Sequence, residues 1–255
     1  MAQEVFRRTE KKYLLDKETY ETLLKRLEDH MEKDRYFDSE ILSLYYDTPD
    51  YRLIRASLDK PVFKEKIRLR SYGVPDDDST AFLEYKRKYK GVVYKRRTVM
   101  TVDNARKFSK GADVGGTNVQ IENELRYAFR IYDELAPRMM ISYHRQAYVG
   151  KENSELRMTF DDRIIYRGYD LDLTKGIYGR DLLDEGQRLM EIKIPDAMPL
   201  WLSRILDELR IFPVSFSKYG KAYTTLLCEN KLGGRDELAA SDRRDIHKTG
   251  YKLVI

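Results

Sequence analysis

Between Val62 and Tyr72 four cations, Lys64, Lys66, Arg68 and Arg70, stand two residues apart, with Ile67 and Leu69 between them. Successive side chains of a strand point to opposite faces, so this spacing puts every charge on one face and the aliphatic residues on the other. Like charges so placed repel, and a solvated surface gives no reason to concentrate them. The same phase returns along the chain. Arg8, Glu10 and Lys12 share a face, as do Glu84, Lys86 and Lys88 opposite Leu83 and Tyr85. Later come Arg145 with Tyr143, then Arg157 and Asp161 with Thr159, then Glu191 and Lys193 opposite Met190, Ile192 and Ile194.

Taken alone, any one of these strands reads as ordinary half-exposed antiparallel sheet, apolar residues inward and charges outward. The recurrence favours another reading. A polyanion lying along the face reverses the repulsion, because phosphate oxygens take charge-assisted hydrogen bonds from Lys and Arg. Closing the sheet would gather the charged rows into one lumen. Carboxylates among the cations suit a divalent metal bridging phosphates.

Helical patterns fill the gaps between strands. Asp16 can cap a helix carrying Tyr20, Leu23, Leu24, Leu27 and Met31, and Asp103 can cap a short one to Lys110. Further helices are predicted over 121–135, 199–209 and 217–228. Strands are predicted over 5–15, 41–46, 62–72, 81–90, 92–102, 139–149, 156–166 and 188–194, with a hairpin at Gly91. Mostly antiparallel strands with helices between them argue an α+β fold on one large sheet or barrel. Residues 1–230 form the expected domain, and the polar stretch 231–255 is expected to be a flexible tail.

Composition excludes several classes. The single cysteine, Cys228, rules out an internal disulfide framework and a Cys-based zinc site, and its helical pattern suggests a packed thiol. No apolar run is long enough to cross a bilayer, and the N-terminus lacks a signal peptide's apolar region, so a reducing cytoplasmic location is expected. A net charge of +5 is compatible with an anionic ligand. Nucleic acid is disfavoured by that modest charge and by the lack of a recognition motif. His30, His144 and His247 lie far apart without metal-ligand spacing, and no Walker-type loop is present.

Several segments together resemble a known family. The row Arg8-Thr9-Glu10-Lys11-Lys12-Tyr13 is similar to the opening strand of triphosphate tunnel metalloenzymes. The ordered set RTEKKYLL, LYYDTPDY, KIRLRSYG, FLEYKRKYKGVVYKRR, SYHRQAYVG, LRMTFDDRI, LMEIKIP and SKYGKAY resembles the VTC domain, the polyphosphate polymerase module of vacuolar transporter chaperones. That resemblance implies an antiparallel β-barrel tunnel with surrounding helices, which binds ATP and polyphosphate along its lumen and transfers the γ-phosphate of ATP to a growing chain. By that likeness Lys12, Arg68, Arg70, Lys86, Arg145, Arg157 and Lys218 hold phosphates. Arg8, Lys66, Lys88, Tyr143 and Lys193 support substrate binding. Glu191 carries Mn2+ or Mg2+, with Glu10 as outer support. The family pattern can carry a histidine where this chain has Lys88, a departure that bears on the acceptor side. The same tunnel could instead hydrolyse a triphosphate, or bind polyphosphate or inositol phosphates without turnover.

Overall fold

Asp16 ends the first strand and starts the first helix, its carboxylate accepting from the Thr19 amide at 2.8 Å. The computed structural model describes residues 9–59, 62–90, 92–132, 134–194 and 197–231, with backbone alone at 229–231. In chain order the elements are β1 (Thr9–Leu15), α1 (Lys17–Leu27), β2 (Met31–Asp47), α2 (Arg52–Leu58), β3 (Phe63–Tyr72), β4 (Thr80–Tyr89) and β5 (Val92–Thr101). Then follow α3 (Val102–Ser109), α4 (Val119–Ile131), β6 (Ala136–Gly150), β7 (Arg157–Arg167), β8 (Arg180–Asp181), β9 (Arg188–Ile194), α5 (Leu200–Glu208) and α6 (Lys218–Lys231). Arg8, Gly91 and the tail from 232 onward lie outside the described residues.

All the strand pairs are antiparallel, in the order β1-β9-β7-β6-β2-β3-β4-β5, with β8 added to β7. The chain therefore adopts the expected α+β tunnel-type architecture. The sheet is curled: among the described residues β1 and β5 do not pair. Instead the Val214 amide donates to the Lys12 carbonyl at 2.7 Å on the edge of β1. Three residues on, Ser217 Oγ accepts from Lys66 Nζ of β3 at 2.9 Å. The segment 211–217 thus ties the edge strand β1 to β3 across the curl.

Three apolar clusters hold the layers. On the convex face Leu42, Leu44, Ile67, Leu69 and Leu83 pack against Ala105, Phe108, Leu125 and Ala128 of α3 and α4. Tyr13, Met158, Met190 and Ile192 pack against Leu23 and Leu27 of α1 and Leu202 and Ile205 of α5. The third cluster lies on the concave face, where Ile41, Tyr45, Met139, Ile141 and Tyr143 meet Tyr219, Ala222 and Tyr223 of α6. One helix has entered the curl and fills part of it.

Several sequence expectations change. Met31 opens β2 instead of closing α1, because Met31, Glu32 and Lys33 pair with Gly150, Val149 and Tyr148 of β6. Residues 32–40 lack apolar alternation, so pairing, with a register shift between Lys33 and Asp38, makes this strand. Thr101, rather than Asp103, caps α3 by accepting from the Asn104 amide. His30 follows α1 in a turn and stacks on Trp201. His144 bridges Asp38 and Asp162, and its bond to Asp162 raises its pKa. Cys228 is exposed rather than packed.

Asp47, at the end of β2, is a buried hub. Its oxygens accept from the Thr48, Leu53 and Ile54 amides and from the Tyr219 hydroxyl at 2.8–3.0 Å. It thereby fixes the start of α2 and anchors α6. Asp47→Ala should destabilise the fold by roughly 2–4 kcal/mol, since it strands several buried donors. Urea unfolding reads this directly; a loss near zero would remove Asp47 from the framework.

Candidate functional site

Residues directly opposite one another in antiparallel strands share a face. Arg68 stands opposite Glu84 and Tyr45, Lys66 opposite Lys86, and Lys64 opposite Lys88. Arg145 faces Asp161, Glu191 faces both Thr159 and Lys12, and Lys193 faces Arg157 and Glu10. The charged rows expected from alternation thus fall on one concave face. Their tips are largely withdrawn from water: Arg70 is 7% exposed, Glu84 2%, Asp161 0%, Glu191 8% and Lys218 8%.

Three carboxylates organise the cations. Glu84 takes Arg68 at 2.7 Å, Arg97 at 2.5 Å and Lys95 at 3.0 Å. Asp161 accepts from Arg145 Nε at 2.6 Å and Nη2 at 2.7 Å, and from Lys218 at 2.5 Å. Glu191 lies 3.2 Å from Lys12, 3.3 Å from Lys218 and 3.6 Å from Arg145. Arg70 reaches the Tyr143 hydroxyl at 3.3 Å, and Lys218 Nζ sits 4.5 Å from the centre of the Tyr143 ring. Lys218 gets there because it is the first residue of α6, the helix that Asp47 and Tyr219 seat in the curl.

The fields of these groups show in their acidities. Burial would raise the Glu84 and Glu191 carboxyls, but Arg68 and Arg70 at the first, and Lys218 and Lys12 at the second, hold both well below the usual range. Burial pulls Lys66 and Lys95 down to about 8. Burial also works to raise the Tyr45 phenol, yet Arg68, Lys66 and Arg70 outweigh it and bring Tyr45 down to about 8. The positive potential thus outweighs the cost of burial at this phenol.

Among the predicted residues, Lys12, Lys66, Arg68, Arg70, Tyr143, Arg145, Glu191 and Lys218 converge. Lys86, Lys88 and Lys193 share the face, with Lys86 exposed and Lys88 and Lys193 half-buried. Arg157 does not join the centre: its side chain is 58% exposed and lies 3.6 Å from Asp34. Glu10 is 3.6 Å from Lys12 and more exposed than Glu191. Lys95, Arg97, Tyr45 and Ser217 were missed. In β5 the run Lys95-Arg96-Arg97 hides the alternation, and only pairing with β4 shows that Lys95 and Arg97 point inward. Arg96 goes the other way, to Glu124 on the convex side.

Ser43 Oγ, Arg70 Nε and Thr159 Oγ1 are buried without a protein hydrogen-bond partner. All three lie on the concave face, beside the carboxylates and cations, where unsatisfied polar atoms call for a polar ligand or water. No helix among the described residues is long and apolar enough to cross a membrane.

No curated protein sequence matches the chain at a significant level. A solved structure of a candidate adenylate cyclase from Bacillus halodurans superposes with a TM-score of 0.51 at 15% identity, covering 82% of this chain and 92% of that one. That likeness concerns the fold. A candidate adenylyl cyclase from Hippeastrum, for which a dominant triphosphatase activity is described, gives 0.48 at 15% identity, covering 85% and 95%. The family model of the VTC domain matches residues 7–227, the whole of the curled sheet and most of its inserted helix, and the chain belongs to the VTC domain family.

Proposed function

We propose that the concave face is the active site of a metal-dependent polyphosphate polymerase that moves the γ-phosphate of ATP onto a growing chain. The observation that carries this reading is the length of the basic track. From Arg70 to Lys64 the inward cations of β3 span seven residues, about 20 Å of strand, and Lys86, Lys88 and Lys95 run beside them. A track of this length suits a chain of phosphates better than a single triphosphate.

Phosphoryl transfer needs alignment and neutralisation of charge more than covalent help. Arg68 and Arg70 offer planar forks to nonbridging oxygens, and Lys12, Lys66 and Lys218 offer compact charges. Tyr143 adds a hydroxyl beside Arg70. The internal carboxylates already neutralise part of the cluster, so an incoming phosphate draws Arg68, Arg145 or Lys218 away from Glu84, Asp161 or Glu191. Before phosphate enters, the same carboxylates offset the repulsion among the cations.

Divalent metal fits this face in part. Among the described residues no group of three protein ligands gathers. Glu191 and Glu10 are diagonal neighbours on paired strands, and the orphaned Thr159 hydroxyl stands opposite Glu191. Two carboxylates with phosphate oxygens and water suit Mg2+ or Mn2+, which seldom demand an all-protein cage. Bound there, the ion would neutralise and orient the phosphates.

Incubation with ATP and Mn2+ or Mg2+, followed by gel analysis and a parallel phosphate assay, should reveal long chains. Free phosphate without chain growth would replace this reading with triphosphatase, and binding without turnover would replace it with a sensing module. Arg68→Ala or Arg70→Ala should cut turnover by about a hundredfold or more with the fold retained, since Glu84 keeps Arg97 and Lys95; full activity in both would displace the site. Glu191→Gln should end metal-dependent turnover while polyphosphate affinity holds or rises, because one competing negative charge is gone.

A pH profile of binding adds a separate check. As pH rises through about 8, Lys66 and Lys95 lose their charge and Tyr45 gains a negative one, all weakening anion binding. Affinity for long-chain polyphosphate, whose internal groups are fully ionised in this range, should fall between pH 7 and 9. Lys66→Arg should flatten the fall. A flat wild-type profile would contradict the electrostatics described above.

A further inference from the structure

The convex side of the same strands carries a cavity of different character. It lies between α4 and the outward residues of β3 and β4, with a volume of about 740 Å3, in the range of small-molecule sites. Phe63, Tyr127 and Ile131 line it and are exposed, an uncovered apolar rim. Glu65 also lines it, yet is only 6% exposed.

Glu65 is held unlike any other buried carboxylate described. Its two oxygens each accept a hydrogen bond from a phenol, Tyr85 on one and Tyr132 on the other. Burial and the bond to Glu65 push both phenols upward, so they remain donors. Among the described residues no Lys, Arg or His forms an ion pair with Glu65. Its cross-strand neighbour Arg87 turns instead to Glu124. By contrast Glu84, Asp161 and Glu191 are held by cations, while Asp47 and Glu122 accept from backbone amides.

We propose that this cavity binds a small organic cation, a primary ammonium on an apolar stem. Each carboxylate oxygen of Glu65 keeps acceptor capacity beyond its phenol. An ammonium there supplies the missing countercharge, and the aromatic rings add cation–π attraction. The stem lies against Phe63, Tyr127 and Ile131, covering apolar surface that is otherwise wet. An anion is disfavoured because Glu65 and Glu124 outweigh Arg87, the one cation of the lining, which Glu124 already pairs. The site owes nothing to the chemistry of the tunnel, although Glu65 sits in β3 between Lys64 and Lys66, whose side chains point the opposite way.

Calorimetry on the full chain without polyphosphate tests this, with 2-phenylethylammonium and its neutral analogue 2-phenylethanol as probes. The ammonium should bind at least about tenfold more tightly than the alcohol. Glu65→Gln and Tyr127→Ala should each weaken it by about tenfold or more, and Arg68→Ala should not. Tyr127 is exposed, so its replacement leaves the core intact. Equal binding of ammonium and alcohol, or undiminished binding to Glu65→Gln, overturns the proposal. So does tighter binding of an acetylated Lys-centred peptide than of the amine, which would give the cavity to a protein partner.

Discussion

Cations crowded onto one concave face are tolerable only because carboxylates are interleaved with them. Glu84, Asp161 and Glu191 each answer two or three Lys or Arg side chains, and each is buried. Buried ion pairs cost desolvation and seldom add net stability, so such a cluster is poor value as a structural device. It makes sense as a site held in readiness for anions, with cations outnumbering carboxylates along the face. Removing one carboxylate strands several charges at once, whereas adding a phosphate relieves them.

The rest of the fold serves that arrangement. The convex clusters clothe the sheet with α3 and α4 on one side and α1 and α5 on the other, leaving the concave side to the charged rows and to the apolar cluster around α6. Entry of α6 into the curl is the decisive contact, since it delivers Lys218 to Asp161 and Glu191 and stacks Tyr219 on Tyr45. Asp47 fixes that helix from below through the Tyr219 hydroxyl. The strap 211–217 ties β1 to β3 and brings Ser217 to Lys66, closing the curl where strand pairing does not.

Much of this was legible in the sequence because strand phase is a local property. Lys64 to Arg70 declare their face by spacing alone, and β3, β4, β7 and β9 fall where alternation puts them. What stayed hidden depends on pairing. Lys95 and Arg97 lie in an unbroken basic run, so their face is set by register against β4. Residues 32–40 lack a pattern and become strand through β6. Arg157 shares the right phase but sits too near the rim, turned to Asp34. The role of Asp47 needed three-dimensional closure, since its partners stand up to 172 positions away.

Lysine reactivity, read by mass spectrometry with and without long-chain polyphosphate, addresses the central claim most directly. Lys66, Lys86, Lys95 and Lys193 on the concave face should be protected together, while Lys25 and Lys107 on the surrounding helices should react unchanged. Uniform protection over the whole surface, or none on the concave face, would contradict the account.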